Sequence, residues 1–440
     1  MGPISQSVAT ASMMGVLAGA MAISSTLQSS RRRRHLSGLL GLLSCLALAG
    51  CNTRPQLPRM LFLSISINND EAIDTRTLDD VRQRMKLLEH GFRAVHPRSH
   101  FQFNLVPEAQ IENLLAQRNQ AGLAPDLVFV NGDTALRLLQ RGEVDPYPIT
   151  AQQLRLFRPQ AIARLRNSQG QLAGLPVMVR TQLACFNRRR VPQPPTTINE
   201  LVALSAKGRA IGISIDPINL VWSAGSMGGL RAIHRAAAGQ QPTARDLQGL
   251  ERWLRWLQTS SSQQSITFFT DQPTAMAELE AGRLDWIACD SGSLSRLYLR
   301  LGDALGVSPL PRGPGGPASP LNRLRVMALG RNSTPTTRQL ALAFGRTSIT
   351  PQSQRALTLG SQSVLPANRF VQVPVNSSSR LAAMVTSARD GARNSILERL
   401  IHGNDPRLPQ IQALMTELVF GELPPQHASH QLVSILRHRP

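Results

Sequence analysis

The run Leu61-Phe62-Leu63-Ser64-Ile65-Ser66-Ile67 is apolar enough for a buried strand, and it stops at Asn68-Asn69-Asp70. Leu78, Val81, Met85, Leu88, Phe92 and Val95 then recur at spacings of three and four, which predicts an amphipathic helix closed by Pro97. Residues 101–106 return as a strand and 108–119 as a helix. Pro125 to Val130 form a short strand ending at Asn131-Gly132-Asp133, and a helix follows over 134–141. Strands alternating with helices predict an α/β chain with mostly parallel sheets, and polar strand ends are where such sheets meet ligands.

The pattern changes at Leu172. Two strand-like passages cover 174–179 and 183–187, and Thr197 with Glu200 three residues on reads as a capped helix start. A strand over 211–215, a small-residue helix over 224–238 and a helix over 245–257 come next. Trp253 and Trp256 in the last of these are expected in the core. A helix over 273–282 leads to a strand over 284–289, which ends at Asp290-Ser291-Gly292. Residues 309–320, rich in Pro and Gly, predict an irregular crossing before a strand over 324–329. No internal repeat is present.

The N-terminal hydrophobic pattern has a different meaning. Arg31 to Arg34 precede the apolar stretch Leu36 to Ala49, which would rise only ~21 Å as a helix against the ~30 Å of a hydrocarbon core. A cleavable export signal fits better than a spanning helix. Its end, Leu46-Ala47-Leu48-Ala49-Gly50-Cys51, resembles the lipobox of bacterial lipoproteins. By that resemblance residues 1–50 are the signal, Cys51 receives diacylglycerol, and 51–60 form a lipidated tether. The expected location is extracytoplasmic, anchored by lipid to a membrane facing the periplasm or the cell exterior. An ordinary secretory signal is the alternative, and export holds in either case.

Composition narrows the classes. With 440 residues and 42% hydrophobic content the chain can bury two domains, so intrinsic disorder is a poor description. The net charge of +21 is carried almost wholly by arginine, since Lys86 and Lys207 are the only lysines. These arginines are scattered rather than banded with aromatics, which argues against a nucleic-acid partner. Four cysteines exclude a disulfide scaffold or a multi-cysteine zinc fold. His96 and His100 are interrupted by Pro97, and His427 and His430 lack a nearby acidic partner, so no metal site is expected. Cys185 and Cys289 are expected as two separate buried thiols, with pairing in an oxidising compartment as the alternative.

Several stretches in one order resemble the solute-binding proteins of ABC importers, in the large maltose-binding-like class. Pro125-Asp126-Leu127-Val128 with Leu138-Leu139-Gln140-Arg141-Gly142 resembles the family's first-lobe strand and helix. Gly174-Leu175-Pro176, Phe186-Asn187-Arg188 and Pro194-Pro195-Thr196-Thr197-Ile198-Asn199-Glu200-Leu201 resemble a later passage, and Leu365-Pro366-Ala367 a late one. Phe186 stands where the family usually has Tyr, Ile198 where it has Trp, and Arg188 where it has Lys. The resemblance implies a two-lobed periplasmic-binding-protein-like fold of type II with a hinge between lobes. Residues 61–178 and 326–365 would form lobe one, and 179–325 and 366–440 lobe two. Crossings are expected near 176–184, 324–329 and 364–370.

The same resemblance implies a monomeric binding subunit that closes on a small solute and presents it to a membrane permease. It would be no enzyme and use no cofactor, and no Walker A sequence is present. By matching position Asn69, Asn131 and Asp133 would contact ligand from lobe one, and Asn219, Trp222, Asp290 and Ser291 from lobe two. Carboxylates and amides with an aromatic plane suit a carbohydrate. Core packing is the competing reading of Trp222, and helix capping that of Asp133 and Asp290. Arg180, Arg188 and Arg325 near the crossings suit an anionic or phosphorylated polyol instead. A third reading comes from Ala224-Gly225-Ser226-Met227-Gly228, which resembles a nucleophile elbow opening a helix. It would make the chain a serine esterase with Asp290 and His402 as partners.

Overall fold

The computed structural model describes residues 59–68, 71–392 and 405–438. Every residue of the cores described below lies within 58–440. Cys51, Asn69 and His402 fall outside the described residues.

Among the described residues eleven strands form the sheet framework: β1 (Arg59–Ile67), β2 (Ser99–Pro107), β3 (Leu127–Asn131), β4 (Val144–Asp145), β5 (Leu175–Asn187), β6 (Ile211–Ser214), β7 (Ile266–Phe269), β8 (Trp286–Asp290), β9 (Leu305–Ser308), β10 (Asn322–Gly330) and β11 (Leu365–Pro366). The main order is β2-β1-β3-β10-β5-β8-β6-β7. The outer pairs β1/β2, β1/β3, β6/β7 and β6/β8 are parallel, as the alternation of strands and helices predicts. The middle differs from that expectation. β10 runs antiparallel to β3 and β5, and β5 antiparallel to β8, with β5 running from one sheet into the other instead of returning over a helix.

β5 corrects the sequence reading most directly. The two short passages expected around Arg180-Thr181-Gln182 are one strand of 13 residues. Its first half pairs with β10 and β11, its second with β8 and β9. The polar break in its pattern marks side chains facing a polar cleft, and the strand runs on beneath them.

Three apolar clusters hold the fold. The first joins β1, β3 and β10 through Leu61, Leu63, Val128, Val130 and Met327 to the helix Thr75–Arg93, whose Val81, Met85, Leu88 and Phe92 face inward as their spacing predicts. The other two lie on opposite faces of the second sheet. Ala184, Phe186 and Trp286 face one cluster with Trp222, Trp253 and Trp256, while Leu183, Cys185, Ile287 and Cys289 face the other. The helices Leu408–Val419 and Pro425–Arg437 close the former. Cys185 and Cys289 are a disulfide between β5 and β8, not the two separate thiols expected. They lie on one face of adjacent strands, a proximity that their separation of 104 residues hides in the sequence.

The helix expected over 224–238 is two helices, Pro217–Met227 and Leu230–Ala237. Gly228 adopts φ 92° between them, a left-handed conformation that ends the first helix, and its carbonyl packs so closely on Gly249 that a Cβ at that position would collide with it.

Candidate functional site

The C-terminal ends of the parallel strands converge on one face of β5 and β10. Alternation along those strands, with Arg180 opposite Arg323, places Arg180, Gln182, Arg323 and Arg325 on this face. At the lobe-one end Arg325 donates to Glu108 (3.1 Å), to Asn131 Oδ1 (3.0 Å) and to the carbonyl of Ser66 (2.6 Å). The Asn131 side chain donates to Asn68 Oδ1 (2.9 Å), and Asn68 donates to Glu71 (3.3 Å). Glu71 is an ion-pair partner of Arg180. Arg180 Nε donates to Asp290 Oδ1 at 2.6 Å, and Arg323 reaches Asp290 Oδ2 at 2.9 Å. One continuous polar network therefore runs from the ends of β1 and β3 to the end of β8.

Every charge in the network is matched. Arg180, Arg325, Glu108 and Asp290 are buried, where an unpaired charge would cost several kcal/mol. Burial alone would raise the Asp290 pKa, but the charges of Arg180 and Arg323 and the N–H of Gly292 hold it below the usual carboxylate range. Burial pushes Arg325 down against the opposing pull of Glu108.

The lobes meet further out as well. Arg76, on the helix Thr75–Arg93, pairs with Glu280 at 3.2 Å, and Arg296 lies 3.4 Å from Asp74 and 2.5 Å from Glu280. Between these contacts and the network a void of about 20 Å³ remains, room for one water, lined by Glu71, Thr77, Gly292, Ser293 and Arg296 among others. Among the described residues these groups are satisfied by one another's side chains.

The structure distributes the expected residues unevenly. Asn131 and Asp290 belong to the network. Ser291 adjoins it, its Oγ accepting from the N–H of Thr181 (3.1 Å). Asn219 flanks it, held by Asp216 (2.8 Å) beside Gln182. Asp133 sits in the first turn of the helix Gly132–Gln140 and pairs with Arg137 at 3.2 Å, away from the network. Trp222 is 1% exposed inside the lobe-two core, its ring 6.1 Å from that of Trp286. Its place is packing, because it lies within the helix Pro217–Met227 rather than at a strand end. Asp290 also caps the short turn over 291–293 by accepting from Gly292 N–H (2.7 Å). The capping and the network readings of Asp290 therefore hold together.

Glu71, Glu108, Gln182 and Arg323 went unnoticed in the sequence. A signal was present for Arg323: with Arg325 it makes an alternating charged pair in a predicted strand, the mark of one polar face. Of the arginines proposed near the crossings, Arg180 and Arg325 are in the network, whereas Arg188 donates to the carbonyl of Leu305 (3.3 Å) at the far end of β5. The elbow reading fails on geometry. Ser226 lies in the last turn of its helix instead of opening one, is fully buried and donates to the Pro311 carbonyl at 2.7 Å.

No family model matches the sequence, and no curated protein matches it. Solved structures do. Over 85% of its length the chain superposes on 97% of the GacH receptor of Streptomyces glaucescens GLA.O, solved unliganded and with acarbose and an acarbose homolog, at a TM-score of 0.65 and 16% identity. The fold is that of a two-lobed periplasmic binding protein. β5 passes from one sheet to the other, and the network lies on the face it shares with β10. No helix among the described residues is long and apolar enough to cross a membrane.

Proposed function

We propose that the chain is the solute-binding subunit of an ABC importer, which captures a carbohydrate between its lobes and presents the closed form to a membrane permease. The observation that carries this reading is the convergence of Asn68, Glu71, Asn131 and Asp290 on the cleft face of the crossovers, in a fold shared with a receptor for acarbose. Amides and carboxylates at strand ends offer the paired donors and acceptors that hydroxyl-rich ligands need. Asn69, Asn219 and Ser291 complete the proposed contacts, while Trp222 supports them from the core. The proposed lobes keep the boundaries 61–178 with 326–365 and 179–325 with 366–440.

In this reading export precedes function, with Cys51 as the lipidated N-terminus. The Cys185–Cys289 disulfide supports an oxidising destination. Replacing Cys51 by Ser should abolish lipid labelling and release the protein from membranes; unchanged retention would defeat the anchor.

A specific observation favours a second ligand class. Three arginines, Arg180, Arg323 and Arg325, line one cleft face, and an anionic polyol could exchange for Glu71 or Asp290 on them. A thermal-shift screen of residues 58–440 against sugars, polyols and phosphorylated polyols separates the two. Ligand at ~100 Kd adds ~2.7 kcal/mol, a readable shift. Stabilisation by neutral sugars supports the carbohydrate reading, stabilisation confined to phosphorylated compounds replaces it, and a response to neither class refutes both.

A further inference from the structure

The crossovers have a second face. With Arg180, Arg323 and Arg325 turned toward the cleft, Val179, Leu324 and Leu365 are paired on the opposite side. That rear side is the floor of a cavity of about 630 Å³, larger than any void described in the cleft and within the ~300–1,000 Å³ of small-molecule sites. One wall is the helix Pro159–Ala163 with Arg158 and Arg164 at its ends; the other is the helix Ser379–Gly391, which contributes Val385 and Arg389. The segment after β11 supplies Arg369, Val371 and Val373.

Two properties of the lining decide what fits. Its floor is apolar, and three exposed arginines, Arg158, Arg369 and Arg389, border it with no aspartate or glutamate among the described lining residues. Arg158, Arg369 and Arg389 are exposed at their ends of the cavity, and Arg369 lies over the Phe370 ring at 4.8 Å. An apolar floor under a rim of one sign matches a molecule with a hydrocarbon body and an anionic head, since a neutral sugar would leave the floor unmatched and a cation would be repelled.

We propose that the rear of the hinge is a binding site for a single-chain amphipathic anion, of which an alkyl carboxylate is the simplest example. The site differs from the inter-lobe cleft and stands whether or not the cleft takes a sugar. Its walls belong to different cores, with Ile162 in the first and Val385 against the third, and its floor is the crossovers themselves. The width of the cavity therefore follows the hinge angle, and occupancy behind is coupled to closure in front, with the coupling reciprocal.

Calorimetric titration of residues 58–440 with dodecanoate, below its micelle concentration, tests the proposal. Dodecanoate should bind once per chain, dodecyltrimethylammonium should not, and Arg369→Glu with Arg389→Glu should weaken the anion by at least about tenfold. Both substitutions fall on exposed side chains, and circular dichroism confirms the variant is folded. A second variant, Val371→Asp, should weaken binding through the apolar lining with the arginines intact. Absence of dodecanoate binding, equal binding of the cation, or affinity unchanged in the double-arginine variant would each overturn the site.

Discussion

Arg180 and Asp290, 110 residues apart in sequence, are hydrogen-bonded at 2.6 Å where the strand leaving lobe one meets the strand end of lobe two. Both side chains are buried, and each also has a further charged partner, Glu71 for Arg180 and Arg323 for Asp290. The pair joins the lobes electrostatically without any ligand.

Removing one member leaves its partner charged in a low-dielectric site. Arg180→Ala is expected to cost ~3–5 kcal/mol, read by urea denaturation of residues 58–440. A loss below ~1 kcal/mol is the exposed-pair value and would show that water solvates the cleft enough to replace the guanidinium.

The same pair has a pH signature. Asp290 titrates lower in the folded protein than in the unfolded chain, where aspartate is near ~3.9. Its contribution is complete above that value and is lost as pH falls through the lower folded one. Acid unfolding of Asp290→Asn should therefore show a shallower decline below about pH 4 than the parent protein. Parallel curves would contradict this assignment.

His234 makes the complementary case at milder acidity. Burial holds its folded pKa below 6.5, so above that pH it is neutral in both states. Below 6.5 the unfolded chain takes up the proton first and stability falls. Thermal midpoints of His234→Gln should lose part of the slope that the parent shows between about pH 6.5 and 5.

The disulfide closes a separation of 104 residues between a crossover strand and its neighbour in the second sheet. Constraint of a loop near that length is worth up to ~4.7 kcal/mol in the chain-entropy account, and loss of native bridges costs ~2–5 kcal/mol. Cys185→Ala with Cys289→Ala should lower the thermal midpoint under oxidising conditions and make it insensitive to reductant. An unchanged midpoint would mean that packing alone holds β5 against β8.

Ser226 offers a test of the discarded hydrolase. Ser226→Ala removes the donor to the buried Pro311 carbonyl and should cost ~1–3 kcal/mol, visible as a lower midpoint, with solute binding unchanged. Loss of an ester-hydrolysing activity in this variant would restore the catalytic reading.

Much of the fold could be read from periodicity. The helix Thr75–Arg93 and the strand Leu61–Ile67 announced themselves because each buries a single regular face against one core. β5 did not. A strand shared by two cores and a polar cleft has no single period, so Arg180-Thr181-Gln182 looked like an interruption. The cleft was half legible for a related reason. Asn131 and Asp290 stand at strand ends, where polar residues come after apolar runs. Glu108 comes directly after β2 at the start of what reads as an ordinary helix, and Glu71 becomes a cleft residue only through its partner Arg180. Trp222 misled because an indole is equally suited to a sugar face and to a core, and only the helix that carries it decides between them.

The antiparallel pairing of β10 with β3 also dictates the order in which this chain can be finished. Arg325 is 194 residues beyond Asn131, yet the two are register partners. Until β10 emerges, β3 presents a free edge and the first core lacks Val326 through Leu329, while the intervening residues already contain most of a second core. A nascent or translocating chain therefore carries an open sheet edge for much of its synthesis, the kind of surface that recruits chaperones or pairs with another copy. The first core stays incomplete until about three quarters of the polypeptide, through the end of β10, has been made.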